Sequence, residues 1–212
     1  MTENARLTSS DFKNHIRASG ATGAGRGTGG NQPTPSERPN VEHPGKVNIF
    51  GVESRVITKE AAQALTGLEI GLSKWFTISQ AMIDAYADLI EDRQFIHTDP
   101  LAARETPFGG TVAHGFLVLS LLPAMAYDAL PVIKGTVRGV NYGMNRVRFV
   151  FPVGAGSRVR GRFHLMSLDD HVPGEVTTTL DARIEIEGEE RPAVVAEWIN
   201  RYYQDEGQES DA

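Results

Sequence analysis

The chain has 212 residues, with 21 Lys+Arg against 27 Asp+Glu and no cysteine. That length suits one domain or a small pair. The missing cysteine excludes disulfides, thiolate catalysis and cysteine-ligated metal clusters, and a formal charge of −6 argues against broad nucleic-acid binding.

No apolar run approaches the roughly 18 residues of a spanning helix, and the N-terminal stretch MTENARLTSSDFKNHIRASG has no apolar core of a secretory signal. A cytoplasmic protein with no membrane and no nucleic-acid partner is therefore expected. Residues 1–45 hold seven Gly and four Pro and carry few apolar side chains. Too little apolar surface is present there to offset ordering entropy, so a disordered tail is expected. The last eight residues, DEGQESDA, read as an acidic solvated tail, which leaves residues 46–204 as the ordered domain.

Within that domain, Thr58–Leu65 reads as a short helix capped by Thr58 and ended by Gly67. A strand is expected around Glu69–Ile78. Thr77 or Ser79 then caps a helix running to Ile90, with Met82, Ala85, Leu89 and Ile90 on its apolar face. Glu91–Gly110 reads as irregular apart from one helical turn at Pro100–Arg104. Residues 113–130, AHGFLVLSLLPAMAYDAL, are apolar on almost every side, as in a buried helix. Pro123 lacks a backbone donor and should kink it.

From Val132 onward the period changes to two. Val159, Gly161, Phe163 and Leu165 alternate with polar neighbours. So do Val176, Thr178, Leu180, Ala182, Ile184 and Ile186, and then Val194, Ala196 and Trp198. Turn residues separate these runs at hairpin spacing. A long helix followed by an antiparallel sheet that must cover it is an α+β arrangement.

Two places can carry chemistry. Asp92 and His97 sit five residues apart at the end of a helix, and together a carboxylate and an imidazole can hold and activate one water. The bland alternative makes Asp92 a turn cap and His97 a satisfied loop histidine. Gly115 falls in the first turn of the 113–130 helix, where free N–H groups and close backbone approach suit a developing oxyanion. The alternative there is a tight entry into a buried helix. His97, Asp99 and His114 read less well as metal ligands. Arg146/Arg148 and Arg158/Arg160/Arg162 fit either phosphate binding or a solvated strand face.

Residues 95–123, FIHTDPLAARETPFGGTVAHGFLVLSLLP, resemble the signature of the MaoC-like dehydratases, the (R)-specific enoyl-CoA hydratases. That family shows an Asp five residues before a His, then D-P-x-x-A, then F-x-G-x-I/V-A-H-G, with its two histidines 17 apart. Asp92, His97 and His114 stand at those positions. The similarity runs over about residues 55–203, through Gly67, Trp75, NYGMNRVRF and PAVVAEWINRYY. It is nearest to the nodulation-protein-N-like single-domain subgroup. Gln94-Phe95 replaces the Asn-Pro of many members, and Pro123 stands where some members place a pocket serine.

The resemblance implies a hot-dog fold, in which an antiparallel sheet wraps one long helix, and a homodimer that needs no cofactor and no metal. It implies that Asp92 and His97 hold the catalytic water and that the Gly115 amide binds the thioester carbonyl. His114, Phe95, Val112, Arg146 and Arg148 are expected around an acyl-CoA or acyl-carrier-protein thioester. The implied reaction is hydration of trans-2-enoyl-CoA to (R)-3-hydroxyacyl-CoA. Thioester hydrolysis and non-catalytic acyl-thioester binding are the alternatives.

Overall fold

The alternating apolar residues after Val132 build the frame of the molecule. A computed structural model describes residues 55–204, so the expected tails at 1–45 and 205–212 lie outside the described residues. In chain order the elements are β1 (Val56–Ile57), α1 (Lys59–Gln63), β2 (Glu69–Leu72), β3 (Phe76–Thr77) and α2 (Gln80–Ile90). Then follow α3 (Phe95–Thr98), α4 (Pro100–Arg104), α5 (Gly115–Ser120) and α6 (Leu122–Ala129). The chain closes with β4 (Val132–Ile133), β5 (Thr136–Phe149), β6 (Arg158–Asp169), β7 (Glu175–Ile186) and β8 (Val194–Gln204).

The main sheet has the order β2-β6-β7-β8-β5, antiparallel throughout, with β3 added beside β6; β1 and β4 form a small parallel pair. The period-two expectation holds along β6, β7 and β8. Val159, Phe163, Leu165, Leu180, Ile184, Val194 and Trp198 are all buried, facing Leu117, Val118, Leu122 and Met125 of α5 and α6. Two glycines let sheet and helix approach. A Cβ on Gly161 would stand 2.7 Å from the Phe163 ring and 2.9 Å from the Met125 Cβ, and one on Gly71 would stand 2.8 Å from the Ala129 carbonyl oxygen.

Four local expectations change. The single strand expected over Glu69–Ile78 is two strands, β2 and β3. Between them the Ser73 hydroxyl accepts from the Gly161 amide (2.9 Å) and donates to the Lys74 carbonyl (2.8 Å), taking over from the ladder. Of the two cap candidates Ser79 caps α2; Met82 packs against the core as expected, but the buried face is Ile83 and Ala87, one helical turn apart. Leu89 is 79% exposed, and Ala85 and Ile90 also face outward.

The kink expected at Pro123 in the 113–130 helix goes further and becomes a break at Leu121. Pro123 has no N–H for the Leu119 carbonyl, so the turn tightens to a Leu121 N–H bond onto the Val118 carbonyl (3.2 Å) before α6 begins. Nor is it buried all round, because the sheet covers one side only and Phe116 is 64% exposed. Within the stretch expected to be irregular, α4 matches the expected turn, and one more turn, α3, carries His97.

Candidate active site

The site begins where α2 ends. Glu91 takes a left-handed conformation (φ 60°, ψ 20°), which turns the chain so that Asp92 leaves at the end of the helix. From there the chain folds back through α3 and α4 to residues 111–114. Asp99 is occupied as the α4 cap, its carboxylate accepting from the Leu101 and Ala102 amides at 3.0 Å. It therefore does not join the histidines as the metal reading required.

The two motif histidines stack. Their ring centroids are 3.7 Å apart with planes inclined by 25°, and both are buried, His97 to 8% exposure and His114 to 4%. His97 Nδ1 lies 2.6 Å from the Val112 carbonyl oxygen, and His114 Nε2 lies 2.9 Å from the Asp92 carbonyl oxygen. A carbonyl can only accept, so each of these nitrogens carries the proton. In its neutral form His97 therefore has Nε2 as its acceptor. His114 keeps a bare Nδ1 that is buried without a partner among the described residues.

The Asp92 carboxylate is 53% exposed, and its Oδ2 is 3.9 Å from His114 Nε2, too far for a hydrogen bond. A ring nitrogen from each histidine and a carboxylate oxygen of Asp92 all lie within 4.8 Å of one another. A divalent cation would find lone pairs on His97 and Asp92, but His114 Nε2 could ligate only by giving up its bond to the Asp92 carbonyl. A water can be held here too, donating one proton to the free ring nitrogen of His97 and one to Asp92.

Gly115 opens α5 directly after His114. A Cβ there would meet the Phe149 ring at 2.7 Å, so the last residue of β5 rests on the glycine; Phe116 packs edge-on against the same ring, centroids 5.3 Å apart. A cavity of about 240 Å³ adjoins them, lined by Ala113, Gly115, Val118, Phe149 and Val153 among others. Phe95, half exposed, lies on α3 beside His97. Val112 is buried, and it is the backbone carbonyl rather than the side chain of Val112 that serves the site.

Arg146 and Arg148 do not join this group within the chain. Arg146 pairs with Glu197 (3.2 Å) and lines a hollow of about 570 Å³ with Asp181 and Arg183, residues that alternate with the inward-facing ones. That places it on the sheet face turned away from the helices. Arg148 bonds the Val147 carbonyl. Arg158, Arg160 and Arg162 pair with Glu187, Glu185 and Glu69 across the strands, which favours the solvated-face reading. Two residues of the site had no signal in the sequence, Gln80 and Thr111. Gln80 Nε2 donates to the His97 carbonyl (2.7 Å), and the Thr111 hydroxyl donates to Gln80 Oε1.

Residues 61–185 match the MaoC like domain family. The chain belongs to the MaoC-like dehydratases. Among relatives of this MaoC-like chain, Nodulation protein N of Rhizobium leguminosarum bv. viciae is 52% identical over 134 residues, 63% of this chain and 83% of that protein. The 3-hydroxyacyl-thioester dehydratase Z of Mycobacterium tuberculosis (strain ATCC 25618 / H37Rv) is 44% identical over 139 residues, 66% of this chain and 91% of the other. Of the solved structures, the (R)-hydratase of A. caviae involved in PHA biosynthesis superposes with a TM-score of 0.51 at 29% identity, covering 63% of this chain and 96% of that one. The α+β architecture is the hot-dog fold of these MaoC-like proteins. Among the described residues, no helix is long and apolar enough to cross a membrane.

Proposed function

We propose that this MaoC-like chain catalyses the reversible hydration of a trans-2-enoyl thioester, carried on coenzyme A or on an acyl-carrier protein, to the (R)-3-hydroxyacyl thioester. The observation that carries the reading is that a ring nitrogen of His97 and a carboxylate oxygen of Asp92 lie within 4.8 Å of each other, with His97 stacked on His114, the residue before Gly115. Water held between Asp92 and His97 loses a proton to Asp92 while His97 fixes its direction. Its oxygen bonds to the β-carbon, the double-bond electrons move to the thioester oxygen, and the Gly115 N–H meets the charge that develops there. The pair returns a proton to the α-carbon. H and OH both come from one water, so no electron carrier enters the balance.

The (R) hand is taken from the similarity to the A. caviae hydratase. His114 and Phe95 stay in the proposal as walls of the substrate site, and Val112 as the anchor of His97. The phosphate role expected of Arg146 and Arg148 is not kept: Arg146 pairs with Glu197, and Arg148 bonds the Val147 carbonyl. A cytoplasmic homodimer is part of the proposal. The dimer is supported by β5, which among the described residues lies at the sheet edge with Val137 and Tyr142 exposed, and by the exposed Phe116.

Incubation with crotonyl-CoA tests the reading. Loss of the enoyl absorbance without release of free thiol is expected. Thiol release with the double bond intact would make the chain a thioesterase, and no change in either would make it a binder.

A further inference from the structure

The amide of Gln80 is fully used. Its Nε2 donates to Asp84 Oδ1 and to the His97 carbonyl, both at 2.7 Å, and its Oε1 accepts from the Thr111 hydroxyl. Chemistry fixes this orientation, because a carboxylate and a carbonyl can only accept and must face the NH₂ end. Gln80 is the first residue of α2, next to the Ser79 cap, and α2 is pinned to the core by Ile83 and Ala87. The residues it grips flank the site from both sides. His97 is on the outgoing strand of the loop and Thr111 is on the returning one. Between them the Val112 amide bonds the Ile96 carbonyl (3.0 Å) and the Val112 carbonyl receives His97 Nδ1–H.

We infer that Gln80 is a positioning residue for this reaction: it clamps the two segments that together fix the tautomer and aim of His97. The inference rests on the proposed hydratase reading for its kinetic consequence, but not for its structural one. Rotating or releasing the His97 carbonyl moves α3 relative to Val112. Once Nδ1–H loses that carbonyl, the ring is free to carry its proton on Nε2, where it can no longer accept from water. Among the described residues the Gln80 side chain bonds Asp84, the His97 carbonyl and Thr111 and neither Asp92 nor His114, so it acts through His97.

The test uses the full chain and four forms: wild type, Gln80→Ala, Gln80→Glu and Thr111→Val. Two readouts are taken. One is kcat and KM with crotonyl-CoA; the other is the ring nitrogen signals of His97 by long-range ¹H–¹⁵N NMR, which needs no turnover. Gln80→Ala should lower kcat by about 10–100-fold, as losses of supporting shells do, with KM nearly unchanged and a second His97 tautomer visible.

Gln80→Glu still accepts from Thr111 but sets an oxygen against the His97 carbonyl and the Asp84 carboxylate. The titratable groups around it are Asp84 on α2 and His97 on α3. Its activity relative to wild type should rise several-fold from about pH 8 to about pH 5, as the new carboxyl gains a proton to donate. The Gln80→Ala ratio should stay flat. Thr111→Val, which deletes a single hydroxyl, should fall in the same direction by less, and it decides the matter if Gln80→Ala does not fold.

A folded Gln80→Ala or Thr111→Val with wild-type kcat and a single His97 tautomer overturns the inference. So does a Gln80→Glu loss that is independent of pH. An inactive wild type overturns the hydratase reading alone, and the NMR signals then decide for Gln80 by themselves.

Discussion

Two backbone carbonyls decide which nitrogen at the site can accept a proton. Val112 holds the proton of His97 on Nδ1, and Asp92 holds that of His114 on Nε2, which leaves His97 Nε2 and His114 Nδ1 as the acceptors of the neutral rings. Asp92, His97 and Gly115 stand out because their spacing repeats a family signature, and the structure groups Asp92 and His97 with His114, the residue before Gly115. Gln80 was not legible, since a glutamine in the first turn of a helix is an ordinary helix former and nothing in its neighbours marks a partner 17 or 31 positions away. Arg146 and Arg148 were open to two readings because alternation fixes neither which face meets the helices nor where a register shift such as that between Asn145 and Arg148 falls. Gly115→Ala tests the oxyanion proposal at this scale. Its Cβ would press on Phe149, which is half exposed and can swing away, so we expect a modest drop in Tm but a fall in kcat of about 10²–10³-fold, the usual worth of one oxyanion donor. Adding Phe149→Ala should restore Tm and leave kcat low. Recovery of kcat in the double variant would mean the glycine serves only to seat the ring.

Helices and strands differ in how openly the sequence declares them. β6, β7 and β8 were readable to the residue because one face is buried and a slip of one position would expose every apolar side chain. α2 was harder. It has more apolar residues than its sheet-facing stripe can use, so periodicity alone did not select Ile83 and Ala87 over Leu89 and Ile90. The break between α5 and α6 follows from Pro123, but the sequence fixes only that a donor is missing, not that the turn before it tightens. Contact between sheet and helix depends on glycine at the crossing. Gly161→Ala would drive a methyl group into Phe163 and Met125, both fully buried, and should destabilise by about 1–3 kcal/mol, the range of core overpacking. Denaturant unfolding at unchanged m-value measures it. A wild-type midpoint would mean that the crossing is looser than these distances state.

At the scale of the whole molecule, the outer sheet face is a lattice of cross-strand charges. Burial alone would raise the Glu185 carboxyl, but hydrogen bonds from Arg162 and Arg160 outweigh it and hold the group below its ordinary value of 4.5. The Arg162 guanidinium, bonded to Glu185 and Glu69, is held above its ordinary value in turn. An acid whose folded pKa is depressed stabilises the fold above its unfolded pKa and loses that contribution as pH falls through the folded one. The unfolding midpoint should therefore be steady above about pH 5 and decline below about pH 4, and Glu185→Gln should flatten that acid limb while lowering the plateau. An acid limb identical in the variant would move the cause to other carboxylates. Glu185 bonds Arg160 and Arg162 and none of Asp92, His97 or His114 among the described residues, so hydration activity at neutral pH should survive Glu185→Gln.

The central claim is that Asp92 and His97 act as one unit on one water, and a double-mutant cycle tests it most directly. Hydration of crotonyl-CoA is measured for Asp92→Asn, His97→Ala and the double variant, each normalised to folded protein by thermal denaturation. Each single change should reduce kcat by roughly 10²–10⁴-fold, as expected for general acid–base catalysis. The double variant should be scarcely slower than the worse single one, because residues that act together are not additive. Multiplicative losses, or single variants that lose stability while keeping their rate per folded molecule, would contradict the account.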